Sequence, residues 1–156
     1  MTGVLPKTIL LPVDLGEGSD EALDYAVELA RAFKARVHIL HVVGIPSMGV
    51  PEMGVAYSGA MMDGMMTDDL HALERMLAKH RGTCELGEPV VKAGDPRDAI
   101  NEAAKELGAD LIVMATHGRS GISRVLLGSV TESVVRTAPC PVLTVKQHAD
   151  TEKKAA

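Results

Sequence analysis

Aromatic residues are nearly absent from this sequence, and tryptophan is missing altogether. Two tyrosines and one phenylalanine make up 2% of the 156 residues. A folded core must therefore be aliphatic, and the chain lacks the aromatic platforms on which bases of a single-stranded nucleic acid stack. Cysteine is also scarce. Cys84 and Cys140 form no CxxC pair, and two lone thiols are more typical of a reducing compartment than of a disulfide framework.

Basic residues are outnumbered, and long apolar runs are missing. Sixteen lysines and arginines against 21 aspartates and glutamates give a formal net charge of -5, which argues against a nucleic-acid-binding surface. No apolar run approaches the roughly 18 residues that a membrane span requires. The N-terminus is too short and too polar for a signal peptide. These features predict a cytoplasmic protein whose partners include neither nucleic acid nor a membrane.

Short apolar runs alternate regularly with helical patterns along the chain, and 46% of the residues are hydrophobic. Continuous apolar runs are typical of strands that are buried on both faces. Their alternation with helices predicts one α/β domain, a doubly wound, Rossmann-like parallel sheet of five strands in the order 3-2-1-4-5. The predicted strands run from Thr8 to Val13, Arg36 to Val43, Glu88 to Ala93, Leu111 to Met114, and Pro141 to Lys146.

Residues 44–66 differ in kind from the rest of the chain. This stretch holds six of the nine methionines and a glycine at every fifth position from Gly44 to Gly64. We interpret it as a flexible insertion, a Met-rich flap, inside a domain that spans residues 1–146 and is followed by a polar tail, 147–156. Methionine can bind Cu(I), but adaptable apolar contact is the more common use of such residues. The next helix is expected to begin near Asp68.

A motif near the C-terminus places a strand end opposite a helix start. Asp110 to Glu132 begins with an apolar run, passes through small and polar residues, and resumes a helical pattern at Gly128 and Ser129. Ser129 and Glu132 have the spacing of a capping box, and a helix N-terminus with free N–H groups attracts anions. A well-capped helix that binds nothing is the plainer interpretation. The dinucleotide motif GxGxxG and the phosphate-binding motif GxxxxGK[ST] are both missing.

The same motif resembles that of the universal stress proteins, and the resemblance extends over nearly the whole chain. It is carried by P-V-D after strand one, H-V-V at the end of strand two, G-D-P before helix three, and M-A-T-H-G-R-S-G-I-S-R-V-L-L-G-S-V-T-E at the motif itself. In the ATP-binding branch the pattern is glycine, two residues, glycine, nine residues, glycine, then serine or threonine. Here Ala115 replaces the first glycine.

The resemblance implies that ATP, alone or with Mg²⁺, is bound where these segments meet. Asp14 would lie by the adenosine and Val42 by the adenine, with the ribose and phosphates held at the start of the last helix. Asp14 could equally cap the turn that follows the first strand. The residues placed in the nucleotide site are Val13, Asp14, Val42, Met114, Ala115, Gly118, Arg119, Gly128, Ser129, Val130 and Thr131.

Three functions are compatible with this pattern. The first is a universal stress protein that binds ATP as a regulated stress-response module, with hydrolysis slow or absent. The second is a nucleotide-independent interaction protein that contacts an unidentified client through the Met-rich flap. The third is a weak nucleotide hydrolase, although His117 has no identifiable nucleophile and acidic partner. In each case the last strand, Pro141 to Lys146, is an apolar sheet edge, and both this edge and the resemblance predict a homodimer.

Overall fold

The computed structural model describes residues 5–45, 59–116 and 127–146, and the structural statements below concern these residues. Six strands alternate with four helices, as expected for an α/β fold. The elements are β1 (Thr8–Val13), α1 (Ser19–Phe33), β2 (Arg36–Gly44), α2 (Gly59–Ala78), β3 (Glu85–Leu86), β4 (Val90–Gly94), α3 (Pro96–Leu107), β5 (Leu111–Ala115), α4 (Ser129–Thr137) and β6 (Val142–Val145).

All strand pairs are parallel, and the sheet order is β3-β2-β1-β5-β6 with β4 also paired to β2. This confirms the predicted doubly wound order, with β4 as the third predicted strand. The short β3 was not predicted. β3 pairs with the first residues of β2, and β4 pairs with the last residues of β2. The two share one edge of β2 and are separated at Gly87, whose N–H donates to the carbonyl of Val37 (2.8 Å).

The core has two parts, one on each face of the sheet. Ile9, Leu11 and Ile39 point toward α1 and α2, whereas Leu10 and Leu40 point toward α3 and α4. Successive residues of a strand face opposite sides, so a strand covered on both faces must be apolar throughout. This explains why the sequence shows continuous apolar runs rather than an alternating pattern.

The predicted start and end of α3 are confirmed. Asp95 accepts a hydrogen bond from the N–H of Arg97 (2.9 Å), and Pro96 is the first helical residue. Gly108 ends the helix with φ 60°, a left-handed conformation that glycine adopts without steric cost. This places the N-terminus of α3 beside the carboxyl ends of the central strands.

The start of α2 corrects the prediction for the Met-rich stretch. The helix begins at Gly59, nine residues before Asp68, so residues 59–66 are helical and not part of a loop. Alanine and methionine favour helix strongly enough to offset the cost of glycine at two positions. Residues 46–58 of the predicted flap, and the tail 147–156, lie outside the described residues. None of the described helices is long and apolar enough to cross a membrane.

Candidate functional site

A cavity of about 300 Å³ lies at the carboxyl ends of β1, β2 and β5, bordered by the N-terminal turns of α3 and α4. β1 lies between β2 and β5 in the sheet, so the strand order reverses at β1. Doubly wound sheets bind ligands at such a point. Nine of the eleven residues predicted for the site line the cavity; Gly118 and Arg119 lie outside the described residues. The nine are Val13, Asp14, Val42, Met114, Ala115, Gly128, Ser129, Val130 and Thr131.

Asp14 follows β1 directly, and its two carboxylate oxygens have different environments. Oδ1 accepts hydrogen bonds from the N–H of Gly16 (2.8 Å) and from the hydroxyl of Ser19 (3.2 Å). It therefore caps the turn, which passes through Leu15 with φ 59°. No described residue hydrogen-bonds to Oδ2, so this oxygen remains an acceptor for a ligand in the cavity. The two alternative roles considered for Asp14 are thus compatible, one for each oxygen.

Ser129 does not cap α4, so the predicted capping box is wrong. The N-cap is Gly128, which has no side chain to offer, and Ser129 is the first helical residue, exposed to solvent. The N–H of Gly128 donates to the carbonyl of Thr116 (2.9 Å), which fixes the point at which the helix starts. Glu132 instead pairs with Arg136 one turn later (2.9 Å).

The first turn of α4 presents backbone donors to the cavity. The first bond within the helix runs from the N–H of Glu132 to the carbonyl of Gly128 (2.9 Å). The N–H groups of Ser129, Val130 and Thr131 therefore have no partner inside the helix. The positive end of the helix dipole adds to their attraction for an anion. The N–H of Gly128 is already engaged and is not part of this donor set.

Thr131 joins the two walls of the cavity. Its hydroxyl donates to the carbonyl of Ala115, the last residue of β5 (3.1 Å), and its side chain is 5% exposed. The hydroxyl proton is thus used inside the protein and cannot also be donated to a phosphate. Thr131 accordingly positions α4 against β5, and only its backbone N–H is available to a ligand.

The wall formed by β2 offers a backbone acceptor. Because the N–H of Arg36 donates to the carbonyl of Lys7 (2.8 Å), the even-numbered residues of β2 direct their backbone groups toward β1. β1 ends at Val13, opposite His41, while β2 continues to Gly44. The carbonyl of Val42 therefore extends past the β1 ladder and has no strand partner on that side.

Several lining residues were not predicted. Pro12, Leu40 and Ile100 are apolar and form a surface suited to a flat ring, whereas the sequence pattern indicates only that they belong to the core. His41 was missed as well. Its Nδ1 lies 2.8 Å from the carbonyl oxygen of Val13, and its Nε2 lies 3.5 Å from a carboxylate oxygen of Asp69.

Neither cysteine supplies a nucleophile to this site. Burial raises the pKa of the Cys84 thiol, and burial together with the nearby Asp110 carboxylate raises the pKa of Cys140. A raised pKa keeps both thiols protonated and unreactive near neutral pH. Neither residue lines the cavity. Among the described residues, no group of three or more histidine, cysteine or acidic side chains could hold a metal ion.

Comparison with known proteins assigns the chain to a family. The model of the universal stress protein family matches residues 6–146. The chain belongs to that family. Universal stress protein MJ0531 of Methanocaldococcus jannaschii is 37% identical over 145 residues, which cover 92% of this chain and 84% of that protein.

Solved structures of universal stress proteins share the fold. That of UspA from Lactobacillus plantarum is 28% identical in sequence, with a TM-score of 0.73, and the match covers 89% of this chain and 97% of that one. Another universal stress protein, solved in complex with cAMP, is 27% identical with a TM-score of 0.62. That match covers 91% of this chain and 98% of the other.

Proposed function

We propose that the chain binds an adenine nucleotide, ATP in the first place, in the cavity between β1, β2, β5 and α4. The observation that carries this proposal is that one cavity combines an apolar pocket, the N–H groups of α4 that have no partner inside the helix, the Oδ2 atom of Asp14 and the Val42 carbonyl. Each group suits a different part of a nucleotide. The cAMP complex of a related universal stress protein supports the same ligand class.

The base would lie against the apolar lining beside β2. The carbonyl of Val42 is an acceptor, so it can take a hydrogen bond from the 6-amino group of adenine. Guanine presents a carbonyl oxygen at the same ring position, which would leave two acceptors facing each other. An unmade buried hydrogen bond costs about 1–3 kcal/mol, so we expect ATP to bind about 5- to 150-fold more tightly than GTP.

The ribose and phosphates would extend from Asp14 toward α4. An ionised carboxylate accepts hydrogen bonds from ribose hydroxyls but repels phosphate. The phosphates are therefore expected at the opposite end, on the N–H groups of Ser129, Val130 and Thr131. Mg²⁺, when bound with ATP, would neutralise phosphate charge.

Binding without rapid hydrolysis is the form of this function that the cavity favours. Asp14 is the only carboxylate among the described lining residues; one of its oxygens is committed to Gly16 and Ser19, and the other is assigned above to the ribose. His41 is the only imidazole among them, and its two ring nitrogens contact the Val13 carbonyl and Asp69. A general base needs a carboxylate or imidazole free to reach the attacking water. We therefore propose a regulated binding module of the stress response, with ATP hydrolysis slow or absent.

Isothermal titration tests the proposal directly. ATP with Mg²⁺ should bind at micromolar to millimolar concentration, and GTP should bind more weakly. Gly128→Val should abolish binding by placing a branched side chain at the phosphate end of the cavity. Gly59→Val is the matched control, because Gly59 begins α2, is exposed and has no atom within 4 Å of an added Cβ. Absence of heat with ATP at millimolar concentration would refute the proposal.

A second candidate function uses the exposed first half of α2. Residues 59–66 include methionines at the surface, and the side chain of Met65 is 39% exposed. Exposed methionines adapt to apolar partners. We propose as the alternative that this surface contacts a client protein independently of nucleotide. Replacing Met65 with glutamate should then abolish client binding while leaving nucleotide affinity unchanged, whereas client binding that requires ATP would exclude this alternative.

We also propose a homodimer through β6. This strand is the last of the sheet and pairs only with β5 among the described residues. The N–H of Thr116 donates to the carbonyl of Val145 (3.0 Å). The odd-numbered residues of β6 therefore direct their backbone N–H and C=O groups toward β5, and the even-numbered residues direct theirs outward. Pairing with a second copy would satisfy these outward groups.

The outward-facing N–H of Thr144 allows a selective test of the dimer. Thr144→Pro removes that N–H but leaves the bonds to β5, and proline is tolerated on an edge strand. Light scattering should give twice 16.5 kDa for the wild type and the monomer mass for the variant. A wild-type monomer at micromolar concentration would contradict the proposal.

A further inference from the structure

His41 contacts hydrogen-bond acceptors with both ring nitrogens. Nδ1 lies 2.8 Å from the carbonyl oxygen of Val13, and Nε2 lies 3.5 Å from Oδ2 of Asp69. Neither a carbonyl nor an ionised carboxylate can donate a hydrogen bond. A ring N–H is therefore the donor in either contact. The side chain of His41 is 12% exposed and that of Asp69 is 26% exposed, so solvent weakens this interaction less than it weakens a surface ion pair.

The first contact bears directly on the cavity. The carbonyl of Val13 belongs to the planar peptide unit that also contains the backbone nitrogen of Asp14. In the β1–β2 ladder this carbonyl also faces the N–H of Val42, so the imidazole is a second contact that restrains the peptide leading into Asp14. His41 itself lines the cavity, so a ligand that contacts Asp14 is sensitive to the position of the imidazole.

The second contact attaches the same ring to α2. Asp69 lies one turn before Leu73, which together with Leu77 forms the buried part of this helix. The contact between His41 and Asp69 is thus located at the boundary between the exposed first half of α2 and its packed second half. A change in the position of His41 would therefore act on α2 at the boundary between its exposed half and the half that packs against the core.

We propose that His41 is a positioning residue that couples nucleotide binding in the cavity to the first half of α2, through the Val13 carbonyl on one side and Asp69 on the other. The inference rests on the proposed nucleotide binding and adds how the binding is communicated. Coupling between two sites is reciprocal. Nucleotide therefore stabilises residues 59–72, and Asp69 raises the affinity for nucleotide although it does not line the cavity.

The test compares two aspartates, each paired with a histidine. Asp69→Ala removes the partner of His41. Asp24→Ala is the matched control, because Asp24 on α1 pairs with His80 (3.0 Å) and neither of these residues lines the cavity. Nucleotide affinity is measured by titration with ATP and Mg²⁺. Asp69→Ala should weaken binding by about 2- to 30-fold, the range typical of residues that couple distant sites, and Asp24→Ala should leave it unchanged within about twofold. Asp69→Asn, which keeps an acceptor oxygen, should restore part of the loss.

Hydrogen exchange separates coupling from simple destabilisation. In the wild type, saturating nucleotide should slow amide exchange in residues 59–72 as well as in β1 and β5. In Asp69→Ala, saturating nucleotide should still slow exchange in the two strands but no longer in residues 59–72.

The possible failures are distinguishable. If the wild type binds no adenine nucleotide, the proposed function and this inference both fail. If the wild type binds and Asp69→Ala shows the same affinity and the same protection of residues 59–72, only the coupling is overturned. An equal loss of affinity in Asp24→Ala would show a general effect of helix ion pairs and would also overturn the coupling.

Discussion

Thr131→Val should destabilise the protein even without nucleotide. The substitution keeps the β-branched shape, so helix propensity hardly changes, but it removes the hydroxyl that donates to the carbonyl of Ala115 (3.1 Å). This hydrogen bond links the end of β5 to the first turn of α4. Its loss leaves the Ala115 carbonyl without its side-chain partner at the edge of the cavity.

The expected magnitude follows from burial. A typical intramolecular hydrogen bond contributes about 0.5–1.5 kcal/mol, and a buried acceptor left unpaired costs about 1–3 kcal/mol. Thr131 is buried, but Ala115 is half-buried and borders the cavity, so water can replace part of the lost bond. We expect a loss of about 1–2 kcal/mol in the free energy of unfolding, which lowers the Tm by about 2–8 °C in a chain of this size.

Urea unfolding followed by far-ultraviolet circular dichroism measures this loss. All variants should be compared at one protein concentration, because the proposed dimerisation would make apparent stability depend on it. Thr67→Val is the control. The Thr67 hydroxyl also donates to a backbone carbonyl, that of Asp63 (2.8 Å), but it is exposed on α2, and its replacement should cost less than about 0.5 kcal/mol. Equal stability of Thr131→Val and the wild type would refute the structural role assigned to Thr131.

Three further predictions concern stability in the absence of nucleotide. Gly87→Ala should cost about 1–3 kcal/mol, because its Cβ would lie 2.3 Å from Nδ1 of His38. His38→Ala in the same chain should recover most of this loss in urea unfolding, and a merely additive double variant would contradict the clash. Ser129→Ala should change the free energy of unfolding by less than about 0.5 kcal/mol, because Ser129 does not cap α4; a larger loss would restore the capping box. Burial, with a smaller contribution from Arg36, lowers the pKa of His38 from 6.5, so the unfolded chain binds a proton more readily. The free energy of unfolding should therefore fall as the pH drops below about 6.5. His38→Gln should reduce this pH dependence, and a variant with the same pH profile as the wild type would refute the role assigned to His38.

The amino-acid sequence by itself determined the class of fold and the neighbourhood of the site. The strand from Thr8 to Val13 and the capped start of α3 at Asp95 depend on residues next to one another in the chain, so local patterns predict them correctly. Because parallel strands all end at one edge of the sheet, the residues after β1, β2 and β5 could be assigned to a common cavity from the sequence alone.

Only the tertiary structure decided the details of the site. Whether Gly128 or Ser129 caps α4 depends on the bond between Gly128 and the Thr116 carbonyl, which forms only after β5 and α4 have packed together. His41 and Asp69 come from different elements, and no local pattern connects them. Such contacts depend on the distances that the folded backbone sets between residues far apart in the chain, and the periodicity of a sequence does not encode those distances.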